Sequence, residues 1–254
     1  MLKKRIIPVQ LLIDNRLVKT VNFGNYRDVG NPVTSSKIYN ATDADELVFL
    51  NINRDHRTVE SLLSLIEKVS EVCFMPLSLG GGIKTLQDAE LLLKNGADKI
   101  VINSACYRDR TIISRIADQF GAQAVIVSID TKLDELANEY QLYSNCGRQL
   151  EDVSLEMHVK DSIDSGAGEI FINSIDKDGT MAGYDINLIK KVVEYSSVPV
   201  IACGGAGNFG HMKDVFLETV ISALACGSLF NFGDNNPIRA KAFLSNYGLP
   251  FKVI

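Results

Sequence analysis

The chain has 254 residues, of which 46% are hydrophobic and 22% are charged, and its formal net charge at pH 7 is −5. This composition is typical of a globular protein with one large domain, and the acidic balance argues against nucleic acid or an anionic membrane as the main partner. No apolar run approaches the ~20 residues of a membrane span, and the basic N-terminal stretch lacks the features of a signal peptide, so we expect a cytoplasmic protein.

The cysteines and histidines do not form a pattern that binds metal or builds a disulfide framework. The five cysteines are odd in number and scattered, and the three histidines lack ligand-like spacing. We therefore expect reduced thiols, no metal site and no cofactor. These residues are Cys73, Cys106, Cys146, Cys203, Cys226, His56, His158 and His211.

Short apolar runs alternate with longer amphipathic stretches along the whole chain. Several runs are rich in Val and Ile and too short for helices, which is typical of strands buried on both faces. The predicted strands are Ile6–Ile13, Leu47–Ile52, Met75–Leu79, Lys99–Ile102, Ala124–Ile129, Glu169–Asn173, Val198–Ala202 and Thr219–Ala225. The clearest predicted helices are Arg57–Val72, Leu86–Asn95, Ile112–Gln119, Leu155–Ser165 and Ile186–Tyr195.

Eight strand–helix alternations without a break in composition predict one α/β domain over residues 1–254, a (β/α)₈ TIM barrel. Residues 140–147 predict a hairpin after the fifth strand. Residues 24–32 are expected to form a long first loop whose glycines permit lid motion.

An internal repeat predicts that the barrel is built from two repeated half-barrels. A shift of 123 residues places Glu46 on Glu169, and it places Gly81-Gly82 on Gly204-Gly205. Chance similarity between apolar strands explains hydrophobic matches, but it does not explain paired glycines and paired glutamates at one offset.

Two glycine-rich turns follow the third and seventh strands, at the strand ends where the active sites of such barrels lie. Glycines there let backbone N–H groups approach an anion closely, and polar residues after the fourth and eighth strands can complete each cradle. The first cradle consists of Gly81, Gly82, Asn103 and Ser104, and the second consists of Gly204, Gly205, Gly227 and Ser228. Because the repeat relates the two cradles, we expect a small molecule with a phosphate at each end.

Asp130 ends the fifth strand, where a carboxylate can act as general acid or base. A shift of 119 residues places Leu11 on Asp130, and leucine cannot transfer a proton. Asp176 and Asp178 lie in the turn after the sixth strand, where capping of the turn is the simpler interpretation.

Four charged residues lie at the opposite ends of the strands: Arg5, Glu46, Lys99 and Glu169. Two are basic and two are acidic, and the glutamates occupy equivalent positions in the repeat. This set, the charge ring, is predicted to close the bottom of the barrel with mutual salt bridges.

A series of motifs links these features to a known family. They are Lys4-Arg-Ile-Ile7, Asn22-Phe23, Arg27-Asp28, Asp45-Glu-Leu-Val-Phe-Leu50, Gly80-Gly-Gly-Ile83, Gly96-Ala-Asp-Lys99, Gly121-Ala-Gln-Ala124, Ser174-Ile-Asp-Lys-Asp-Gly-Thr180, Gly183-Tyr184 and Gly204-Gly-Ala-Gly207. From about residue 3 to about residue 248, the chain resembles the cyclase (synthase) subunit of imidazole glycerol phosphate synthase, from histidine biosynthesis.

The resemblance implies a (β/α)₈ barrel with a glutaminase subunit docked on its N-terminal face. Ammonia from glutamine crosses the barrel interior and joins a bis-phosphorylated ribulosyl-formimino carboxamide nucleotide, which is cleaved and cyclised. By resemblance the charge ring gates the ammonia entrance, Asp98 contacts the glutaminase, and Lys19 in the first loop binds the ligand. Asp130 matches one catalytic aspartate, and Asp178, with Gly179 and Thr180, matches a substrate-contacting turn.

Two positions depart from the family pattern. Leu11 stands where the family has its other catalytic aspartate, and Asn51 replaces the aspartate that follows the second strand. Loss of a positioned general acid or base typically removes about 10²–10⁴ in rate. The departures suggest a paralogue that activates a glutaminase and conducts ammonia for amidino-sugar synthesis in surface polysaccharide, with a separate ligase downstream.

Three alternatives stay open at this point. The first is a genuine cyclase that uses Asp130 with another acid, such as Asp14 or Asp176. The second is a non-catalytic scaffold that only activates a glutaminase. The third is the isomerase that acts one step earlier on the same fold, which does not need a gate at the barrel bottom.

Overall fold

The structure is a computed structural model that describes residues 3–54 and 57–252, so His56 lies outside the described residues. Its strands are β1 (Arg5–Ile13), β2 (Arg16–Thr20), β3 (Tyr26–Gly30), β4 (Leu47–Asn51), β5 (Leu77–Gly80), β6 (Lys99–Ile102), β7 (Val125–Asp134), β8 (Glu139–Ser144), β9 (Gln149–Glu151), β10 (Glu169–Ser174), β11 (Val200–Cys203) and β12 (Ala223–Cys226).

The helices follow the strands in alternation. They are α1 (Pro32–Ala41), α2 (Glu60–Ser70), α3 (Leu86–Lys94), α4 (Ser104–Arg108), α5 (Thr111–Phe120), α6 (Leu155–Asp164), α7 (Ile186–Tyr195), α8 (Phe209–Glu218), α9 (Ser228–Asn231) and α10 (Pro237–Ser245), with a 3₁₀ turn at Ala122–Ala124.

Eight of the strands pair in parallel and close into a barrel in the order β1, β4, β5, β6, β7, β10, β11 and β12. The last strand returns to the first, with Arg5 beside Ala223 and Ile7 beside Ala225. Strands β7 and β10 join the two halves along six residue pairs, from Glu169 beside Ile126 to Ser174 beside Thr131. The predicted (β/α)₈ barrel is therefore confirmed.

Side-chain alternation along the strands separates two nonpolar layers. One side of each strand packs against the surrounding helices in the larger core, and the other side points into the barrel. The inward cluster consists of Ile7, Val9, Val48, Val101, Ile126, Phe171, Ile201, Ala223 and Ala225, with Leu11, Leu50 and Cys203 packed on it. These side chains fill the middle of the barrel, as is usual for this fold.

Two antiparallel hairpins extend the first and fifth barrel strands at their C-terminal ends. Strands β2 and β3 follow β1, and strands β8 and β9 follow β7. The second hairpin confirms the prediction for residues 140–147. The prediction of a loop over residues 24–32 is wrong, because β3 occupies Tyr26–Gly30 and pairs with β2, and α1 begins at Pro32.

Helix α2 begins at Glu60, three residues after its predicted start at Arg57. The preceding residues make other contacts: the Arg57 guanidinium donates to Asn145 Oδ1 at 2.8 Å, and the Thr58 carbonyl accepts from the Asn51 amide at 3.2 Å. Helix α7 agrees with its predicted bounds at both ends, where the Asp185 carboxylate caps the first turn through the Leu188 N–H.

Candidate functional site

A cavity of about 450 Å³ opens at the C-terminal ends of the barrel strands. It collects most of the site residues that the sequence predicts, although these are spread over more than 200 positions. Those that line it are Leu11, Lys19, Gly81, Gly82, Asn103, Ser104, Asp130, Asp178, Gly179, Gly204, Gly205, Gly227 and Ser228.

Thr180 is the predicted site residue that the structure places elsewhere. Its side chain is exposed and its hydroxyl donates to the Lys177 carbonyl at 2.9 Å. Among the described residues, its neighbours Gly179 and Met181 line the cavity, but Thr180 does not. The Thr180 hydroxyl therefore closes the turn after β10.

The glycines of the two cradles have equivalent surroundings in the two halves of the barrel. Gly81 and Gly204 have φ values of +92° and +97°, which side chains rarely adopt. A Cβ on Gly81 would lie 2.0 Å from the Asn51 carbonyl oxygen, and one on Gly204 would lie 2.8 Å from the Ser174 carbonyl oxygen. Asn51 and Ser174, the residues that these Cβ atoms would meet, are themselves 123 positions apart. The geometry therefore agrees with the sequence repeat.

Asp130 is held at the wall of the cavity by asparagine. The Asn103 amide donates to Asp130 Oδ2 at 3.2 Å and to the Ser128 carbonyl at 3.1 Å. Burial, reinforced by the nearby negative charge of Asp178, raises the pKa of Asp130 to about 7. A carboxyl group with that pKa suits general acid or base chemistry near neutral pH.

Lys19 lies in β2 and not in a loop, because the first barrel strand continues into the hairpin. Its side chain is buried, and its ammonium group donates to the Val9 carbonyl beside Gly227. Burial lowers the pKa of Lys19 to about 8, although Cys203 and Asp178 act in the opposite direction. A buried ammonium group at the second cradle is suited to binding an anion.

Asp178 is fixed by the β2–β3 hairpin. Its Oδ2 accepts from the Thr20 hydroxyl at 2.7 Å and from the Phe23 N–H at 3.3 Å. The Asn22 amide adds bonds to the carbonyls of Ile175 and Asp176, at 3.0 and 2.9 Å. The turn after β10 and the hairpin after β1 therefore hold one another at the cavity mouth.

The two positions that depart from the family pattern line the same cavity, but they differ in what they do. Leu11 packs on the inward nonpolar cluster and offers no polar atom. The Asn51 amide donates to the Thr58 carbonyl and to the Ser61 hydroxyl, the latter at 3.0 Å, and Asn51 Oδ1 accepts from the Asn53 N–H at 3.0 Å. A carboxylate at position 51 could not make the two donor contacts.

Asp14 and Asp176, the two alternative acids, do not line the described cavity. Asp14 accepts from the Asn53 amide at 2.7 Å on the outside of the barrel mouth. The Asp176 carboxylate accepts from the Leu133 N–H at 2.8 Å and so fixes the extension of β7. The geometry therefore does not support a second proton-transfer group at either position.

Basic residues near the cavity mouth escaped the sequence analysis. Arg54, Arg57, Lys84 and Arg108 line the cavity together with Lys19. Each lies shortly after the end of a barrel strand, and this position in the sequence could have predicted that they line the cavity.

At the other end of the barrel, the charge ring is closed as predicted. Arg5 contacts Glu46 at 3.1 Å and Glu169 at 2.5 Å, and Lys99 contacts the same two carboxylates at 2.8 and 2.6 Å. Burial acts to raise the pKa of Glu169, but the contacts with Arg5 and Lys99 outweigh it and lower the pKa below its usual value. The buried Ser78 hydroxyl, which the sequence analysis missed, also donates to Glu46.

Asp98 lies beside the charge ring, immediately before β6. Its Oδ2 accepts from the Leu77 N–H at 2.8 Å, and the residue is exposed. Asp98 is therefore accessible to a second protein.

The described residues also bear on the other sequence expectations. In residues 3–54 and 57–252, no group of three or more His, Cys, Asp or Glu side chains converges to hold a metal ion. All five cysteines are unbridged. None of the helices within these ranges is both long and apolar enough to cross a membrane.

Together, the closed barrel, the cavity at its C-terminal end and the charge ring at its base define a (β/α)₈ barrel protein with a polar active-site-like cavity. Comparison with known sequences identifies its relatives. The histidine biosynthesis protein family matches residues 5–236, and the chain belongs to that family.

Two relatives show how far the similarity extends. Imidazole glycerol phosphate synthase subunit HisF from Hyphomonas neptunium (strain ATCC 15444) is 39% identical over 254 residues, which is the full length of both chains. A protein from Leptospira borgpetersenii, provisionally named as the same subunit, is 42% identical over 218 residues, or 86% of each chain. The chain is thus HisF-like over its whole length.

Proposed function

We propose that the chain is the barrel subunit of a glutamine-dependent complex. A glutaminase subunit docks on its N-terminal face, near Asp98, and ammonia passes the charge ring toward the cavity. The cavity binds a phosphate-bearing small molecule through the two cradles and Lys19. The ammonia serves amidino-sugar synthesis for surface polysaccharide and is consumed by a downstream ligase instead of the ring closure of histidine biosynthesis.

The observation that carries the proposal is the contrast between the two ends of the barrel. Each basic residue of the charge ring contacts both glutamates. In the cavity, by contrast, Asp130 is the acid that a barrel strand contributes among the described lining residues, and Leu11 occupies the equivalent position on β1. The charge ring, which the resemblance assigns to ammonia transfer, is therefore complete, while the pair of aspartates that it assigns to ring closure has lost one member.

Passage of ammonia requires movement of the nonpolar side chains that fill the middle of the barrel. The inward cluster around Val48, Ile126 and Phe171 lies between the charge ring and the cavity. A nonpolar route favours neutral ammonia over ammonium, because burying an isolated charge costs much more than burying a small neutral molecule.

A second candidate, the genuine cyclase of histidine biosynthesis, has two observations in its favour. Asp130 has the raised pKa that proton transfer needs, and the relatives carry the cyclase subunit's name. A non-catalytic scaffold is less well supported, because a scaffold has no use for two matched glycine cradles.

Reconstitution with a glutaminase subunit and the bis-phosphorylated nucleotide separates these functions. We expect the wild-type chain to stimulate glutamine hydrolysis, but to close the imidazole ring about 10²-fold or more slowly than its Leu11→Asp variant. Ammonium salts in place of glutamine test the cavity alone. Wild-type ring closure at ordinary enzyme rates, ~1–10³ s⁻¹, would establish the genuine cyclase and refute the proposal.

A further inference from the structure

The cavity contains more basic groups than the two cradles require. Of the described side chains that line it, five are basic and three are acidic, although the chain as a whole carries a net charge of −5. A concave site with an excess of basic groups concentrates anions. The question is which anionic group the additional cations recognise.

Arg57 is the best placed of these cations. Its guanidinium donates to Asn145 Oδ1 at 2.8 Å, and the Asn145 N–H donates to the Ser104 hydroxyl at 3.0 Å. The Ser104 hydroxyl in turn donates to Asn103 Oδ1 at 3.4 Å, and the Asn103 amide donates to Asp130. A continuous set of hydrogen bonds therefore fixes Arg57 relative to the first cradle and to Asp130.

The cavity that Arg57 lines favours a bound anion. Leu11 and Asn51 are uncharged, so two positions where carboxylates would repel an anion are neutral. Burial also raises the pKa of Asp130 to about 7, so that much of this carboxyl is uncharged at neutral pH. Arg54 adds a second guanidinium group at the mouth, held by the Phe23 carbonyl at 2.8 Å.

We propose that Arg57 forms a third anion subsite, beside the first cradle, that takes a carboxylate group of the phosphate-bearing ligand. The assignment deepens the proposed function, because it names the chemical class of the molecule in that cavity: a phosphorylated sugar acid or a compound of similar shape. A guanidinium group matches a planar carboxylate with two parallel hydrogen bonds. The phosphates already have backbone N–H cradles on other strands.

A matched pair of probes tests the subsite. 6-Phosphogluconate and glucitol 6-phosphate have the same chain length and the same phosphate, but only the former has a carboxylate. We expect the wild-type chain to bind 6-phosphogluconate about tenfold more tightly by calorimetry, the size of effect that one charged hydrogen-bonded contact provides. Arg57→Gln should abolish that ratio and leave the affinity for glucitol 6-phosphate within about twofold.

Two further variants complete the test. Arg57→Lys should retain part of the preference, because it keeps the charge and loses the two-pronged geometry. Arg239→Gln, an exposed arginine on α10 away from the cavity, should leave the ratio unchanged. Circular dichroism and a thermal melt confirm that each variant is folded.

Several outcomes would overturn the subsite. These are equal wild-type affinity for the two probes, a ratio that survives Arg57→Gln, or a parallel loss of both probes and of inorganic phosphate, which would make Arg57 part of the first cradle. If wild type binds neither probe nor inorganic phosphate, the phosphate cavity of the proposed function fails as well. Failure to stimulate a glutaminase, in contrast, would contradict the proposed function and leave the Arg57 subsite unaffected, because the ratio of probe affinities does not depend on a glutaminase.

Discussion

Leu11 and Asp130 occupy equivalent positions on the first and fifth barrel strands, yet only one of them can exchange a proton. Both line the same cavity, where the Asn103 amide donates to the Asp130 carboxylate at 3.2 Å. The cost of enclosing Asp130 appears in its pKa, which burial raises to about 7. A buried carboxyl group with a strongly raised pKa is typical of a functional site.

The raised pKa of Asp130 predicts a specific pH dependence of stability. Between its unfolded pKa near 4 and its folded pKa of about 7, the folded protein binds more protons than the unfolded chain, so stability falls as pH rises. The Asp130→Asn variant lacks this slope. We therefore expect the free energy of unfolding of Asp130→Asn, minus that of wild type, to increase by roughly 2–3 kcal/mol from pH 5 to pH 8.

Urea titrations at the two pH values measure this difference. Asp118→Asn, an exposed position on α5, corrects for general charge effects. Parallel pH profiles for wild type and Asp130→Asn would show that Asp130 ionises in the folded protein as it does in solution.

Secondary-structure elements build each half of the barrel in the same way. The first and fifth barrel strands each continue into a hairpin, and the fourth and eighth are each followed by a short helix, α4 or α9. The turns after the third and seventh strands contain glycine pairs with φ between +91° and +101°. The sequence repeat therefore corresponds to a repeat of hairpins, short helices and glycine turns around the cavity.

The turn after β5 predicts the effect of adding one methyl group. In Gly81→Ala, the new Cβ would meet the Asn51 carbonyl oxygen at 2.0 Å, and backbone atoms cannot move aside cheaply. We expect a loss of about 3 kcal/mol or more in free energy of unfolding, together with loss of inorganic phosphate binding.

Gly248→Ala is the matched control for this substitution. Gly248 also has a positive φ, +73°, but no atom lies within 4 Å of its added Cβ. The backbone strain alone should cost about 1–2 kcal/mol. Equal losses in the two variants, measured by urea denaturation, would show that crowding at the turn after β5 is unimportant.

At the scale of the whole molecule, the two ends of the barrel have opposite electrostatic characters. The base is a neutral ring of two cations and two anions that satisfy one another. The mouth has an excess of basic groups and glycine-rich turns. Such polarity suits a protein that admits a small neutral molecule at one end and holds an anion at the other.

Opening the base should separate glutamine hydrolysis from use of the ammonia. In the complex with a glutaminase, the downstream ligase and its sugar substrate, Lys99→Ala removes one of the two cations that bridge Glu46 and Glu169. We expect glutamine hydrolysis to continue, while amidated product per glutamine falls severalfold because ammonia escapes to solvent.

The variant should stay folded, because Arg5 still contacts both glutamates. Lys99→Met preserves most of the side-chain volume, so it controls for the empty space that Lys99→Ala leaves at the charge ring. Lys94→Ala, on the outer surface of α3, provides the control. A wild-type ratio of product to glutamine in Lys99→Ala would count against passage of ammonia through the barrel.

Local sequence patterns were sufficient to predict the periodic features of this protein. Alternating apolar runs and amphipathic stretches predicted all eight barrel strands, because burial on both faces leaves a strong local signal. The glycine pairs, Asp130 and the charge ring were predicted because the ends of parallel strands meet at the same edge of a barrel. The structure places the glycine pairs and Asp130 around one cavity and the charge ring at the opposite end of the barrel.

The way in which the cavity is completed depends on tertiary contacts. The hairpin that replaces the expected first loop, the burial of Lys19 and the position of Arg57 depend on contacts between segments that are far apart in sequence. The same contacts direct Thr180 and Asp176 away from the cavity. Local patterns fix where strands and turns form, whereas the orientation of a side chain at a strand end depends on what packs beside it.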